Sequence, residues 1–175
     1  ATGHDVHREY YINDAGRQVD ILTASVWVRY LQHCGEDLPF PENGYRGEYV
    51  RAIGAQLHAA QGEALRRAGA EVVAGLPEDA PAGDKEKHVD ALIDRMRTLL
   101  GDAGYQTVQE LALAGMLADI RSDLAEFGVE FEQWYSERSL SRNGAIERAL
   151  ARLEQQGQLY RKDGATWFRS TAFGD

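Results

Sequence analysis

The sequence has few of the features that mark a secreted, disulfide-linked or membrane-spanning protein. It has one cysteine, Cys34, among 175 residues, so no disulfide can form within the chain, and we expect a location in the reducing cytoplasm. No apolar run approaches the roughly 18 residues that a membrane-spanning helix needs. The first residues also lack the basic region and apolar core of a secretory signal. A membrane is therefore not expected as a partner.

Basic residues are in the minority. The chain has 19 lysines and arginines against 28 aspartates and glutamates, which gives a formal net charge of −9. Electrostatic binding of nucleic acid over an extended surface needs clustered lysines and arginines, so DNA is not expected as a partner. Local basic groups do occur, at Arg66 and Arg67 and in the C-terminal third (Arg138, Arg142, Arg148, Arg152). Such runs are usually solvated helix faces, although one of them could still contact RNA.

The sequence also lacks the patterns of a metal site or a nucleophilic triad. Its five histidines are scattered, at positions 4, 7, 33, 58 and 88, and neither a second cysteine nor a His-x-x-x-His pair supplies zinc-ligand spacing. No Ser-His-Asp or Cys-His arrangement has any specificity. The sequence therefore predicts no metal ligand and no catalytic residue within this chain.

Helical periodicity dominates the central part of the chain. Apolar residues recur at intervals of three and four over residues 16–33, 47–68, 89–100 and 105–127, which predicts amphipathic helices. Asn143 is suited to cap a further helix that ends at Gly157. Residues 74–86 contain two prolines, two glycines and several charges, so we expect a mobile, linker-like loop there.

Strand-like runs lie towards both ends. Residues 5–12 have the pattern of a strand, residues 127–134 alternate apolar and polar, and Asp163-Gly164 separates two short runs. Asp-Gly in that position is a strong β-hairpin signal. We predict a mixed α/β, helix-rich fold whose last strands form a small antiparallel sheet with a C-terminal hairpin. The first strand is expected to lack a parallel partner within the chain.

The most distinctive stretch runs from Arg8 to Gln18, with the sequence Arg-Glu-Tyr-Tyr-Ile-Asn-Asp-Ala-Gly-Arg-Gln. A run rich in aromatic and β-branched residues stops at Asn-Asp and passes through Ala-Gly into a helical pattern, which is typical of a βα unit. This stretch resembles a segment of the class I arginyl-tRNA synthetases, which have Arg-Glu-Tyr-Tyr-Ile-Asn-Asp-Ala-Gly soon after their ATP-binding signature.

Three further segments extend the resemblance. Gly44–Tyr49 matches the family's Gly-Tyr-x-Gly-Glu-Tyr turn. Phe127–Leu140 matches Phe-x-Val-x-Phe-Asp-x-Trp-x-Ser-Glu-x-Ser-Leu, with Glu132 in place of the usual aspartate. Asp163–Asp175 is similar to the run that leads back to the catalytic fold. These blocks follow the family's order, and only residues 62–105 have no matching motif. The family's His-x-Gly-His and Lys-Met-Ser-Lys-Ser-type signatures are absent from the sequence.

The resemblance implies an internal portion of a synthetase: the end of the first Rossmann half (residues 1–73), a linker-like loop (74–86) and the connective insertion (87–175). The implied parent activity is the ATP-dependent attachment of arginine to its tRNA through an arginyl-adenylate, with Mg accompanying the ATP. The fragment alone is expected to be an inactive monomer that contributes one edge of the active site and helps to position the tRNA acceptor end.

The resemblance also suggests candidate site residues. Asn13, Asp14 and Gln18 are candidates for binding the arginine substrate, and Tyr45 is a candidate for contact with the tRNA acceptor end. Each has a plainer interpretation, because Asn and Asp commonly cap helices, and the Tyr45 segment fits a simple turn. The aromatic residues Trp134, Trp167 and Phe168 fit the core of the insertion better than a cofactor site.

Two other kinds of protein remain possible at the level of the sequence. The chain could be a freestanding, non-catalytic helical interaction module derived from a synthetase. It could also be a small enzyme with its own chemistry near Asp14, in which case an acid with a perturbed pKa in a closed pocket would be expected.

Overall fold

A computed structural model describes residues 3–174. The chain divides into two compact units. One unit is formed by the described residues up to Asp14 together with those from Phe131 onward, and the other spans Ala15–Glu130. The division into residues 1–73, 74–86 and 87–175 stays a prediction. No helix within residues 3–174 is both long and apolar enough to cross a bilayer.

The unit Ala15–Glu130 is helical. Its helices are α1 (Arg17–His33), α2 (Glu48–Gln61), α3 (Gly69–Val73) and α4 (Lys85–Glu126). Helix α1 packs against both α2 and α4, because its apolar residues at helical spacing form a wide face towards the core. The largest fully buried side chains include Trp27, Tyr30, Leu57, Met96 and Val108. The predicted helix over residues 16–33 is confirmed.

Helix α2 ends earlier than the predicted Ala68, at Gln61. The backbone leaves the helix at Gly62, where φ is 55°. The Tyr30 hydroxyl donates to the Gly62 carbonyl at 2.7 Å and accepts from the Leu65 amide at 3.2 Å. Because a buried side chain takes these backbone groups, the segment after Gly62 is held as a turn, although Leu65 is buried as the helical pattern suggested.

Helix α4 is one long helical run with a break at Gly101, where φ is 65° and ψ is 175°. This region of backbone space is essentially restricted to glycine. The sequence prediction of one helix ending at Gly101 and a second beginning near Gly104 agrees with this break.

The other unit begins with a parallel strand pair. Strand β1 (Glu9–Ile12) pairs with β2 (Gln133–Ser136), and Tyr10 lies opposite Trp134. The expectation that the first strand lacks a parallel partner was therefore wrong. Parallel strands require a crossover connection, and here that connection contains the whole helical unit, so the partner could not be recognised from neighbouring sequence.

The rest of this unit consists of α5 (Arg138–Arg142), α6 (Ala145–Gln155), β3 (Leu159–Lys162), β4 (Ala165–Phe168) and a 3-10 helix (Ser170–Phe173). Strands β3 and β4 are antiparallel. Asp163 and Gly164 both have positive φ, 52° and 77°, which confirms the predicted hairpin. Asn143 accepts a hydrogen bond from the Ala145 amide at 2.9 Å and so supports the start of α6.

This unit has little apolar core. Trp167 and Phe168, which were expected in the core, are 49% and 46% exposed. A two-stranded hairpin of four-residue strands has too little surface to enclose them. Trp134 is half-buried and stacks on Tyr10, with ring centroids 4.5 Å apart. Among the described residues of this unit, Asp14 alone is classed as buried.

Candidate functional site

The buried carboxylate of Asp14 lies just after β1 and links this strand end to the start of α5. Its Oδ2 accepts a hydrogen bond from the Ser136 hydroxyl at 2.6 Å, and its Oδ1 accepts one from the Arg138 backbone amide at 2.9 Å. Ser136 Oγ in turn accepts from the Ser139 amide at 3.3 Å. The carboxylate and the hydroxyl thus take up backbone amides in the first turn of α5 that would otherwise have no helical partner.

These partners set the electrostatics of Asp14. Burial by itself would raise the pKa of Asp14, but the hydrogen bonds from the Arg138 amide and the Ser136 hydroxyl, together with the charge of Arg138, outweigh burial and lower the pKa. The side chain is therefore charged at neutral pH. Helix α1 begins at Arg17, and its N-cap residue, Gly16, has no side chain to cap it. The Asp14 carboxylate instead accepts the Arg138 amide at the start of α5.

Two other polar side chains lie at the carboxyl ends of the paired strands. Asn13 is exposed and immediately follows β1. Glu137, between Ser136 and Arg138, is half-buried. The pKa of Tyr11 is raised by desolvation and then by the charge and hydrogen bonding of Glu137. Glu137 lies within the Phe127–Leu140 motif, but nothing in the sequence marks it as a site residue.

An ion pair fixes the opposite ends of the same two strands. Arg8 donates from Nη2 and Nε to Glu132 Oε1 at 2.6 and 3.0 Å, and its backbone amide donates to Oε2 at 2.6 Å. The side-chain and backbone hydrogen bonds from Arg8 lower the pKa of Glu132 to about 2. The glutamate that replaces the family's usual aspartate thus contacts both the side chain and the backbone of Arg8.

The helical unit brings the other two candidates, Gln18 and Tyr45, together. The Tyr45 hydroxyl donates to Gln18 Oε1 at 2.9 Å, and the Tyr45 amide donates to Ser25 Oγ at 3.0 Å. Both side chains line an open cleft of about 310 Å³ whose other lining residues are mostly polar (Arg17, Ile21, Glu42, Asn43, Gly44, Glu86). Asn13 and Asp14 belong to the other compact unit.

The cleft at Gln18 and Tyr45 does not suit a nucleoside triphosphate. Its guanidinium, Arg17, is already paired with Glu86 at 2.7 Å and with Asp90 at 2.8 Å. A triphosphate needs several unpaired cations or backbone amides around its phosphates, so we assign no contact with ATP to these residues. Within residues 3–174, no group of three or more His, Cys, Asp or Glu residues is arranged to hold a metal ion.

Comparisons with known proteins show which proteins the chain is similar to. No protein-family model matches the chain. An arginine–tRNA ligase from Thioalkalivibrio sulfidiphilus is 58% identical over 176 residues, which cover 100% of this chain and 30% of that protein. The chain is homologous to part of the arginine–tRNA ligases. The corresponding ligase from Hydrogenovibrio crunogenus is 53% identical and covers 99% of the chain, again over 30% of its own length.

The chain thus spans about 30% of the length of these arginine–tRNA ligases. A solved structure from Campylobacter jejuni, assigned as an arginyl-tRNA synthetase, matches with a TM-score of 0.69 over 99% of this chain and 31% of that one. The sequence identity is 21%, so this match supports the fold alone. The predicted likeness to arginyl-tRNA synthetases is confirmed by the sequence relatives.

Proposed function

We propose that the chain is part of a class I arginine–tRNA ligase, in which it forms one edge of the site that joins arginine to tRNA through an arginyl-adenylate. ATP, with Mg, would supply the adenylyl group that activates arginine. The residues that bind ATP would lie elsewhere in the parent protein. The identity of 58% over the whole chain supports this proposal most strongly. It favours a ligase segment over a freestanding interaction module, because the relatives continue well beyond the aligned part.

We infer that β1 and α1 correspond to the end of the first Rossmann half. The parallel pairing of β1 with β2 supports this inference, because ligands of open α/β sheets bind outside the carboxyl ends of parallel strands. Asn13, Asp14 and Glu137 follow or lie beside those ends.

Within this edge, the three residues would have different roles. Asp14 holds the Ser136–Arg138 turn, so it would position its neighbours. Asn13 is exposed and would contact the arginine substrate through its amide. Glu137 offers a carboxylate, the group that forms charge-assisted hydrogen bonds with ammonium and guanidinium ions, and we add it as a substrate-binding candidate. Gln18 remains a further candidate whose orientation is fixed by Tyr45.

The β3–β4 hairpin would help to position the single-stranded acceptor end of the tRNA. Tyr160 and Trp167 lie opposite each other across the two strands, so their side chains share one face of the hairpin. Lys162 and Arg169, each two residues further along the chain, are expected on the same side. Both rings are partly exposed, at 37% and 49%. Exposed aromatic residues stack on bases, and neighbouring cations attract phosphates. Tyr45, in the cleft of the helical unit, stays a separate candidate for contact with the acceptor end.

Local charge supports this role of the hairpin. Residues 158–174 contain three cations (Arg161, Lys162, Arg169) and one anion, Asp163, a local balance of +2 in a chain whose net charge is −9. The Arg169 guanidinium lies 5.4 Å from the centre of the Tyr160 ring, so a base on this ring would have a cation beside it. From the sequence, Trp167 was expected in the core, so the hairpin was not predicted as an RNA contact.

A segment exchange tests the proposed function. The aligned segment of the Thioalkalivibrio sulfidiphilus ligase would be replaced by this chain, and charging of arginine tRNA would be compared with that of the unaltered ligase. We expect the exchanged protein to retain activity to within about tenfold, since the replaced walls of the site are equivalent. A ligase lacking the aligned segment serves as the control. An exchanged protein that folds, as judged by thermal unfolding, but fails to charge tRNA would contradict the proposal.

A further inference from the structure

A second cleft of the helical unit has no role in the proposed function. It has a volume of about 270 Å³ and is lined by Arg29, Gln32 and His33 of α1 and by Arg51 of α2. Two guanidinium groups and an imidazole therefore face one open space, and none of these residues was selected from the sequence.

Arg29 is held in this cleft by neutral groups. Its guanidinium lies 3.8 Å from the centre of the Phe40 ring, and its Nη1 donates to Gln32 Oε1 at 2.8 Å. Gln32 is itself fixed, because its Nε2 donates to the Leu38 carbonyl at 3.0 Å. Among the residues that the structure describes, Arg29 forms no ion pair, and its buried Nε has no hydrogen-bond partner. Buried donors rarely lack a partner, so the protein contacts of Arg29 do not fully satisfy its guanidinium group.

The charges around Arg29 do not balance. Arg46 is paired with Glu42, and Arg51 lies 3.8 Å from Glu48, with both side chains largely exposed. Such exposed pairs are weak. The pKa of Arg29 is lowered by burial and then by the nearby positive charges of Arg51 and Arg46, against which Glu48 acts in the opposite direction. Arg29 thus experiences an excess of positive charge.

From this arrangement we infer that the α1–α2 cleft binds a phosphate group, through the guanidinium groups of Arg29 and Arg51 with His33 beside them. Planar guanidinium groups donate parallel hydrogen bonds to two oxygens of one anion, a geometry that favours phosphate over a monatomic ion. Gln32 and Phe40 fix the orientation of Arg29 before binding, which reduces the entropy lost when the anion binds. The phosphate group could belong to free phosphate or to an RNA backbone.

The test follows the side-chain Nε–Hε signals of Arg29 and Arg51 by NMR during titration of the chain with inorganic phosphate. We expect saturable shifts of both signals in the millimolar range. Arg51→Gln should weaken binding by about tenfold, because one charge-assisted contact is lost, and Lys85→Gln, which removes the same charge at the start of α4, should leave the affinity unchanged. Shifts that do not saturate, or an equal loss in Lys85→Gln, would overturn the inference, since both indicate diffuse attraction.

A second titration distinguishes the source of the phosphate group. A short single-stranded RNA without a terminal phosphate replaces inorganic phosphate in the same measurement. Saturable shifts of Arg29 and Arg51 with both ligands support a site for backbone phosphate, and saturable shifts with inorganic phosphate alone support a site for a free anion. No saturable shift with either ligand contradicts the inference. The readout is equilibrium binding, so it is independent of the outcome of the segment exchange.

Discussion

The Ser136 hydroxyl donates a hydrogen bond to Asp14 Oδ2 at 2.6 Å, although the two residues are 122 positions apart in the sequence. The same carboxylate accepts the Arg138 amide, so one side chain connects the end of β1 with the turn between β2 and α5. Asp14 therefore stabilises the strand end at which Asn13 and Glu137 are presented.

Replacement of Asp14 should loosen this turn. In Asp14→Ala the Arg138 amide loses a charged acceptor, so the free energy needed to open the turn locally should fall by about 1–3 kcal/mol. Amide hydrogen exchange at Arg138 and Ser139 should become faster, whereas Glu154→Ala, at an exposed position of α6, should leave it unchanged. Unaltered exchange at Arg138 in Asp14→Ala would show that the carboxylate does not hold the turn.

The Arg8–Glu132 pair should appear in the acid titration of the chain. The folded pKa of Glu132, about 2, lies below its ordinary value of 4.5, so the pair stabilises the fold fully above about pH 4.5 and loses this effect as the pH falls towards 2. NMR titration of the Glu132 carboxyl should show the low midpoint, and Arg8→Gln should return it towards 4.5. A midpoint near 4.5 in the unsubstituted chain would contradict the observed geometry.

The break in α4 should make Gly101 intolerant of any side chain. Gly101→Ala places a Cβ at φ 65° and ψ 175° and should lower the free energy of unfolding by about 1–3 kcal/mol, despite the higher helix propensity of alanine. Ala114 lies in a regular, exposed part of the same helix, where alanine should be the more stable residue. Ala114→Gly should therefore lower the free energy of unfolding by roughly 0.5–1 kcal/mol. Urea denaturation measures both. A stabilising effect of Gly101→Ala would mean that α4 is continuous.

Gln18 and Tyr45 should act as a coupled pair in the exchanged ligase. Because the Tyr45 hydroxyl donates to Gln18, Tyr45→Phe and Gln18→Ala remove the same hydrogen bond. Their effects on kcat/KM for tRNA should therefore be less than additive, by a coupling of about 0.5–3 kcal/mol. Independent, additive effects would indicate that the two side chains function separately.

Local sequence was sufficient to predict elements whose determinants are close together in the chain. The 3.6-residue period of α1 and the Asp163-Gly164 turn are local properties, and both predictions are confirmed. The end of α2 was misjudged because Tyr30, a residue of another helix, takes the backbone groups after Gly62. The helical period of the sequence does not show that a side chain from another helix will bind these backbone groups.

Relationships between distant residues could not be predicted in the same way. The pairing of β1 with β2 and the engagement of Asp14 by Ser136 both join the two ends of the chain. The motif predicted the family likeness, which the sequence relatives confirm, but a carboxylate at a strand end has the same sequence whether it contacts a substrate or a neighbouring turn. The cluster around Arg29 likewise depends on the packing of α1 against α2, which brings Arg51 into the cleft.

The most direct test of the account measures the KM for arginine in the exchanged ligase that contains Asn13→Ala. Asn13 is exposed and follows β1, so its truncation should leave thermal unfolding unchanged, whereas loss of a substrate hydrogen bond should raise the KM by on the order of tenfold and leave the KM for tRNA unaltered. A KM for arginine equal to that of the unsubstituted exchanged ligase would contradict the placement of this strand end at the arginine site.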